Sequence, residues 1–330
     1  MLRKRVLITG GCGFIGHHFV EHFLKTTDWD IIIFDKLTYA SSGFDRVRDI
    51  GVFNDNRVLI FTVDLNQPIE KGILTETGPV NYILHLAAET HVDNSITNPA
   101  PFVMSNVVGT MYILEFAKHC ESLEAFHYFS TDEVFGPAPP GVNYSEWNRY
   151  NSTNPYSASK AGGEELCLAY ANTYGLPVFV THTMNCMGER QHPEKFIPIC
   201  IKRILSGQEI QIHANADETV SGSRFYIHCR NVADAVSFLL DRFISREKYN
   251  IVGEKEVSNL DLAQAIADII GKPLHYRLVD FHSSRPGHDL RYGLNGSRMS
   301  AMGWDVPLTF EKSLEKTVSW TLDNQKWLFN

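Results

Sequence analysis

A glycine-rich turn near the N-terminus constrains the fold of this chain more than any other feature. Gly10, Gly13 and Gly16 have the spacing G-x-x-G-x-x-G, directly after an apolar run over 5–9 and before a helical pattern over 14–26. Glycines at this spacing allow a tight turn and bring free N–H groups at the start of the helix close to a pyrophosphate. The turn therefore predicts a dinucleotide-binding βα unit, and a plain βα turn is the alternative.

The rest of the N-terminal half repeats this alternation of strand and helix. Apolar runs occur at 30–35, 58–63, 81–86, 125–130 and 177–183, and helical patterns at 66–77, 100–121 and 155–174. The alternation predicts an α/β fold, a Rossmann-type doubly wound parallel sheet whose strand carboxyl ends share one edge. The second half is less regular, with helical patterns at about 195–206, 231–245, 258–270 and 310–325. We expect a dinucleotide-binding domain over 1–184 and a smaller C-terminal α/β substrate domain over 185–330, with the chain crossing between them more than once.

Composition narrows the functional class. The net charge of -8 argues against a nucleic-acid or anionic-membrane surface, and no apolar run approaches transmembrane length. The six cysteines are scattered without a C-x-x-C, and the N-terminus leads directly into a strand pattern without a signal peptide. These features predict a cytoplasmic protein. The fourteen histidines include no H-E-x-x-H, so we expect no metal.

An acidic residue at the end of the second predicted strand indicates which dinucleotide binds. Asp35 follows the glycine turn by about twenty residues, as expected for a side chain that binds the adenine ribose 2′-hydroxyl. A carboxylate there repels a 2′-phosphate and favours NAD over NADP, although the neighbouring Lys36 would tolerate a phosphate. The other candidate cofactor contacts follow the first four strands: Phe14, Ile15, Leu37, Thr38, Asp64, Leu65, Leu86, Ala87 and Ala88.

Two further segments predict the chemistry. Tyr156 and Lys160 lie one helical turn apart behind Pro155, and an ammonium beside a tyrosine favours the phenolate that accepts a hydroxyl proton. Lys160 would also hold the nicotinamide ribose, and Thr131 would hydrogen-bond the same sugar hydroxyl as Tyr156. Asp132 and Glu133 follow the fifth predicted strand, where one carboxyl would act as acid and the other as base. Together the segments predict a redox enzyme that also eliminates water; a surface Tyr–Lys pair and a polar turn are the alternatives.

At these residues the chain resembles the extended short-chain dehydrogenase/reductase superfamily, and within it the nucleoside-diphosphate-glucose 4,6-dehydratases of the dTDP-glucose type. The likeness covers essentially the whole chain and is most specific at Thr131-Asp132-Glu133. The matching segments are GGCGFIG, FDKLTYA, HLAAETHVDNSI, STDEVFG, NPYSASKAGGE, HPEKFIP, RPGHDLRY and GWDVPLTFEKSLEKTVSWTLDN.

The resemblance implies a mechanism and a substrate, a dTDP- or UDP-linked hexose. Tyr156 would remove the sugar O4 proton while C4 gives hydride to NAD+; Glu133 would take the C5 proton, Asp132 would protonate the departing C6 hydroxyl, and hydride would return to C6. The resemblance further implies a homodimer through helices at about 100–121 and 155–174. The implied substrate-binding residues are His91, Asn185, Lys195, Arg224, Asn250, Arg285 and Tyr292.

Departures from the family pattern concern the substrate rather than the proton-transfer residues. Asn94 stands where members often carry Arg, the usual Asn-rich loop is here MNCMGER over 184–190 with Asn185 as its one asparagine, and 213–223 is longer than usual. The base, thymine or uracil, and the sugar stay open. The alternatives are a UDP-sugar C4-epimerase or decarboxylase of the same superfamily, and a non-catalytic nucleotide-binding protein.

Overall fold

The computed structural model describes residues 3–280 and 290–329 of the chain, which form thirteen strands and thirteen α-helices. The strands are β1 (Arg5–Thr9), β2 (Asp30–Asp35), β3 (Val58–Thr62), β4 (Tyr82–His85), β5 (Ala125–Thr131), β6 (Val178–Thr183), β7 (Cys186–Met187), β8 (Ile210–Ala214), β9 (Ser223–Arg224), β10 (Ile227–His228), β11 (Lys248–Ile251), β12 (Val257–Ser258) and β13 (Tyr276–Asp280). The helices are α1 (Phe14–Thr26), α2 (Asp45–Asp49), α3 (Lys71–Thr77), α4 (Val92–Thr97), α5 (Ala100–Val103), α6 (Gly109–Ala117), α7 (Pro155–Tyr174), α8 (Phe196–Leu205), α9 (Cys229–Leu240), α10 (Asn259–Ile270), α11 (Ser297–Ala301), α12 (Phe310–Asp323) and α13 (Lys326–Phe329).

Seven strands form one sheet in the order β11-β6-β5-β4-β1-β2-β3. The pairs β1–β2, β2–β3, β1–β4 and β4–β5 are parallel, so these strands end at the same edge of the sheet. The strand order reverses between β1 and β4, where ligands bind in open α/β sheets. The predicted Rossmann-type doubly wound fold is confirmed.

The strands at the centre of this sheet carry uninterrupted apolar runs, over 6–8 in β1, 31–34 in β2 and 82–84 in β4, because helices cover both faces. The cores of β1, β2 and β4 are fully buried, and they pack with residues from α6 and α7. This packing of strands against helices fixes the positions of the polar residues at the strand ends relative to the first turns of the helices that follow.

The chain divides into two compact units, each made of separate segments. The first comprises Met1–Val134, Tyr150–His182 and Ala233–Tyr249, and the second Phe135–Arg149, Thr183–Val232 and Asn250–Asn330. The second has its own apolar core, in which α8, α10 and α12 pack together, and three two-stranded sheets, β7–β10, β8–β13 and β9–β12. The expected division at residue 184 stays a prediction.

The predicted helix over 100–121 is interrupted and shorter than expected. A π-helical segment, Met104–Val108, joins α5 to α6, which ends at Ala117. By length and hydropathy alone the stretch Ala100–Ala117 would suffice to cross a membrane, contrary to the expectation that no run approaches that length. Core helices of globular proteins meet the same criterion, and 44% of this stretch is buried within the structure.

Candidate active site

The glycine turn brings three elements into close contact. Gly10 has φ +70°, and a Cβ on it would lie 2.9 Å from the Ala87 backbone. A Cβ on Gly16 would collide with the carbonyl of Gly10, so the start of α1 can approach β1 only with glycine there. Among the described residues, a Cβ on Gly13 would meet only the Gly10 carbonyl oxygen, at 3.0 Å, so one side of the turn is open at the N-terminus of α1. This is the arrangement that a pyrophosphate requires.

Asp35 is buried and held in a fixed orientation at the end of β2. Its Oδ2 accepts a hydrogen bond from the Cys12 amide at 3.0 Å, and its Oδ1 accepts one from the Leu37 amide at 2.8 Å. Leu37 has φ +57°, a strained conformation for a residue with a side chain. Burial raises the pKa of Asp35, and the two amides oppose that rise. The two bonds therefore hold the carboxylate beside the glycine turn, at the position where the sequence predicts a ribose ligand.

The ammonium of Lys36 lies close to a carboxylate. Its Nζ lies 3.9 Å from Oδ1 of Asp64, which follows β3. An ammonium paired with a carboxylate is a weak attractor of a 2′-phosphate, so this contact favours NAD over NADP. Residues 10–16 and 35 therefore fit an NAD molecule, with the pyrophosphate at the start of α1.

A buried chain of hydrogen bonds fixes the loop after β4. The amides of Leu86 and Ala87 donate to the Thr9 hydroxyl at 3.2 and 3.1 Å, and that hydroxyl lies 2.8 Å from Nδ1 of His85. Nε2 of His85 lies 3.0 Å from the Thr110 hydroxyl, which donates to a carbonyl one turn earlier. Burial lowers the pKa of His85 to about 3, so the ring is neutral with its proton on Nε2.

Helix α7, which carries Tyr156 and Lys160, begins at a well-formed cap. Asn154 caps α7 in a capping box with Ser157, and Pro155 occupies the first turn. The amide of Tyr156 donates to the Ser95 hydroxyl of α4 at 3.2 Å, and its ring packs on Val92 and Phe102. Tyr156 is therefore held at the first turn of α7 by contacts to α4 and α5.

Lys160 is buried one turn further along α7. Its Nζ lies 4.3 Å from the centre of the Tyr128 ring, and the Tyr128 hydroxyl donates to the Lys160 carbonyl at 3.0 Å. Burial lowers the pKa of Lys160 from 10.5 to about 8. Near neutral pH the ammonium is thus still charged, as stabilisation of a tyrosine phenolate requires.

Thr131 is the last residue of β5, and Asp132 and Glu133 lie on the short 3-10 turn Asp132–Phe135 that follows it. The Thr131 hydroxyl donates to Oδ1 of Asp132 at 3.0 Å, and the amide of Glu133 donates to the same hydroxyl at 3.4 Å. Oε2 of Glu133 accepts a hydrogen bond of 3.2 Å from Nδ2 of Asn154. On this turn, Asp132 and Glu133 no longer point to opposite faces as adjacent residues of a strand do.

A second charged cluster lies behind Lys160. Glu164 of α7 is fully buried; its Oε2 lies 3.1 Å from Nε2 of His182 and its Oε1 lies 2.8 Å from Nζ of Lys248. The Tyr150 hydroxyl also donates to Glu164 and accepts from Lys248. Burial acts to raise the pKa of Glu164, but His182 and Lys248 outweigh it and bring the pKa down to about 2. The cluster ties α7 to β6 and β11.

His91, the substrate-binding candidate of the first unit, caps α4. Its Nδ1 accepts from the amide of Asn94 at 3.4 Å, and the side chain of Asn94 donates to the Tyr39 hydroxyl at 3.4 Å. Within residues 3–280 and 290–329, no group of three or more His, Cys, Asp or Glu side chains could hold a metal ion.

The other substrate-binding candidates belong to the second unit. The guanidinium of Arg224 lies 4.7 Å from the centre of the Tyr292 ring, so these two residues are brought together. Asn250 is fully buried and its amide donates to the carbonyls of Tyr144 and Asn295 at 3.0 and 3.1 Å. Asn185 is exposed, Lys195 precedes α8, and Arg285 lies outside the described residues.

Three features of this site were not predicted from the sequence: Asn154, Ser95 and the Glu164 cluster. Asn154 could have been found, because an asparagine before a proline is a strong signal for a helix start. Ser95 and Glu164 carry no such signal, since their partners lie far away along the chain.

Comparison with known proteins agrees with this geometry. Residues 6–252 match the family model described as the NAD dependent epimerase/dehydratase family. The chain is 37% identical to the dTDP-glucose 4,6-dehydratase of Salmonella typhimurium, over 99% of this chain and 95% of that protein. It is 34% identical to a trifunctional UDP-glucose 4,6-dehydratase of Arabidopsis thaliana, over 98% of this chain and 48% of that protein.

A solved structure shows the same fold. The dTDP-glucose 4,6-dehydratase DesIV of Streptomyces venezuelae, with NAD bound, superposes with a TM-score of 0.88 at 32% identity, covering 98% of this chain and 99% of that chain. The glycine turn, the oriented acid of β2, the family match and these likenesses agree. The chain belongs to the NAD dependent epimerase/dehydratase family.

Proposed function

We propose that this protein is a nucleotide-sugar 4,6-dehydratase that converts dTDP- or UDP-linked glucose, or a close analogue, to the 4-keto-6-deoxy sugar nucleotide with NAD as cofactor. The observation that carries the proposal is the pair Asp132-Glu133, set on a turn beside the start of α7 and hydrogen-bonded to its cap. The full-length likeness to proteins named as 4,6-dehydratases supports it.

Each proton transfer of the proposed reaction is assigned to a residue of the first unit. Tyr156, held at the first turn of α7, takes the proton from the sugar O4, and the buried Lys160 ammonium stabilises the phenolate. Glu133 removes the C5 proton, which the neighbouring 4-ketone has made acidic. Asp132 gives a proton to the departing C6 hydroxyl, so that water leaves. NAD, when bound, would accept the hydride from C4 and return it to C6, and the protonated Glu133 would give its proton back to C5 to complete the product.

Residues of the second unit are proposed to bind the nucleotide. Arg224, stacked on Tyr292, offers a planar guanidinium of the kind that binds phosphates, and Asn185 and Lys195 flank the segment before α8. The relatives' names include both dTDP and UDP sugars, so the base is an outcome of the assay below.

We further propose a homodimer formed through α5, α6 and α7. Val103, at the end of α5, and Met104, at the start of the π-helical segment, are 47% and 41% exposed, a feature typical of an apolar contact surface. No nucleic-acid or membrane partner is proposed, and a cytoplasmic location stays a prediction.

The test is a product assay by mass spectrometry with UDP-glucose, dTDP-glucose and their N-acetylglucosamine counterparts, without added cofactor. Loss of one water identifies a dehydratase, and the preferred substrate identifies base and sugar. An unchanged mass with altered stereochemistry at C4 identifies the epimerase alternative. Bound NAD with neither change in any substrate would contradict both.

A further inference from the structure

Asn154 makes hydrogen bonds in two directions with one buried side chain. Its Oδ1 accepts from the amide of Ser157 at 2.9 Å, which caps α7. Its Nδ2 donates to Oε2 of Glu133 at 3.2 Å. The residue is 6% exposed, so water competes weakly for either bond. One amide group therefore connects the start of the catalytic helix to the carboxylate that follows β5.

We propose that Asn154 is a positioning residue for the C5 proton abstraction: it holds the Glu133 carboxylate in its ionised form and at a fixed place relative to Tyr156. The proposal rests on the dehydratase function proposed above. It predicts that loss of the Asn154 donor impairs elimination while C4 oxidation continues.

The backbone on both sides limits how Glu133 can move, but does not fix its carboxylate. The Glu133 amide donates to Thr131 at 3.4 Å, and the Val134 carbonyl accepts from the amide of Asn151 at 2.9 Å. These bonds hold the turn against the segment that precedes α7. The Asn154 amide adds a bond to the end of the side chain, where the proton is accepted.

A neutral donor suits a base better than a cation would. A hydrogen bond to a carboxylate favours the charged form, which alone can accept the C5 proton. An arginine or lysine there would add a positive charge and reduce the basicity of the carboxylate far more strongly. Asn154 orients Glu133 without introducing such a charge.

Helix capping alone does not explain the choice of asparagine. A cap requires only a side-chain acceptor, and serine, threonine and aspartate supply one about as well. Asparagine is the member of this group that also carries an amide donor. The bond to Glu133 uses that donor.

The test compares Asn154→Ser, which keeps a capping oxygen and removes the donor, with Ser157→Ala, which removes the reciprocal half of the capping box and leaves the donor. Two quantities are measured. One is NADH absorbance after mixing enzyme with substrate, resolved into its rise and its decay. The other is the pH titration of the Glu133 carboxyl by 13C NMR in glutamate-labelled enzyme without substrate, assigned with Glu133→Gln.

In Asn154→Ser we expect NADH to form at close to the native rate and to decay roughly 10- to 100-fold more slowly, since a hydrogen bond to a charged group is lost. The Glu133 titration midpoint should move to higher pH, and the acid limb of the rate of elimination should move with it. Ser157→Ala should leave the midpoint and the decay near native values.

Two results would overturn the proposal: an unchanged Glu133 midpoint in Asn154→Ser, or equal slowing of NADH formation and decay. A shifted midpoint in an enzyme that makes no dehydrated product with any substrate would instead refute the proposed function and leave the hydrogen bond established.

Discussion

Lys160 meets opposing demands from catalysis and from folding. The proposed mechanism needs the charge of Lys160, whereas burial disfavours that charge and lowers the pKa from 10.5 to about 8. Such a shift corresponds to about 3 kcal/mol of unfavourable folding free energy at neutral pH. We therefore expect Lys160→Met to reduce turnover severely while raising the free energy of unfolding at pH 7 by up to roughly 3 kcal/mol. Urea unfolding and the mass assay measure the two effects.

The pH dependence of this stabilisation follows from the direction of the shift. Below about pH 8 the lysine is protonated in both states and the full cost is present. Between about 8 and 10.5 the unfolded state binds more protons, so native stability rises with pH. The gap between Lys160→Met and the native protein should close over that window. Lys71→Met, at an exposed lysine, is the control and should change stability by less than about 0.5 kcal/mol.

The proposed roles of Glu133 and Tyr156 can be distinguished by which step of the reaction each variant still performs. Glu133→Gln keeps the size of the side chain and removes the base, so product formation should fall by roughly 100- to 10,000-fold while NADH absorbance still appears. Tyr156→Phe should prevent both. Stopped-flow absorbance and product mass measure these outcomes; normal product formation by Glu133→Gln would assign the C5 base to another residue.

Some site residues could be predicted from the sequence because their signal is local. Gly10, Gly16 and Asp35 occur at fixed spacings around one turn, and the structure places them together as expected. The bond from Asn154 to Glu133 spans 21 residues, and its geometry depends on how α7 meets the end of β5. No spacing rule reports such a contact.

The position of α7 depends on the buried carboxylate of Glu164. Its pKa is lowered from 4.5 to about 2, so it contributes stability above pH 4.5 that is lost as the pH falls toward 2. Glu164→Gln leaves the Lys248 charge buried without its partner carboxylate and should lower the free energy of unfolding by roughly 3 kcal/mol at pH 7. Chemical denaturation measures it, with the exposed neighbour Glu165→Gln as control.

A double variant and a pH series sharpen this test. Glu164→Gln with Lys248→Met removes both charges and should be less destabilised than Glu164→Gln alone. The difference between the native protein and Glu164→Gln should shrink below pH 4.5. A loss of stability that is the same at pH 7 and pH 3 would show that packing, and not charge, accounts for it.

Element boundaries were predictable where caps define them. The bounds of α1 and α7 agree with the predicted 14–26 and 155–174, because a glycine turn and an Asn-Pro pair mark the two starts. The apolar pattern did not predict β11, which completes the seven-stranded sheet. This strand has only four residues, and two of them, Lys248 and Asn250, are polar and break the apolar pattern that marks a buried strand. Both are nevertheless buried, since distant parts of the chain supply their partners. The π-helical segment also leaves no mark in the apolar periodicity.

The fold class of the whole chain follows from its strand–helix alternation, whereas the division into units does not. Segments 135–149 and 233–249 each group with a part of the chain that is distant in sequence. A Gly/Pro-rich run over 136–141 signals a loop at the first segment but does not indicate which unit that segment joins, and the second segment begins inside a helix with no such signal. A segment joins one unit or the other through its long-range packing contacts, and the residues that make these contacts are distributed over both cores.

The proposed dimer makes a prediction for the assembled molecule. In a two-fold symmetric interface a substitution occurs twice, so Val103→Asp would place two carboxylates in an apolar contact. Because an unpaired charge is costly to bury, the dimer should weaken by roughly 100-fold or more. Light scattering across a dilution series measures it, with Ile244→Asp, at an apolar residue that is 63% exposed outside these helices, as the control. Equal masses for Val103→Asp and the native protein at every concentration would contradict an interface through α5, α6 and α7.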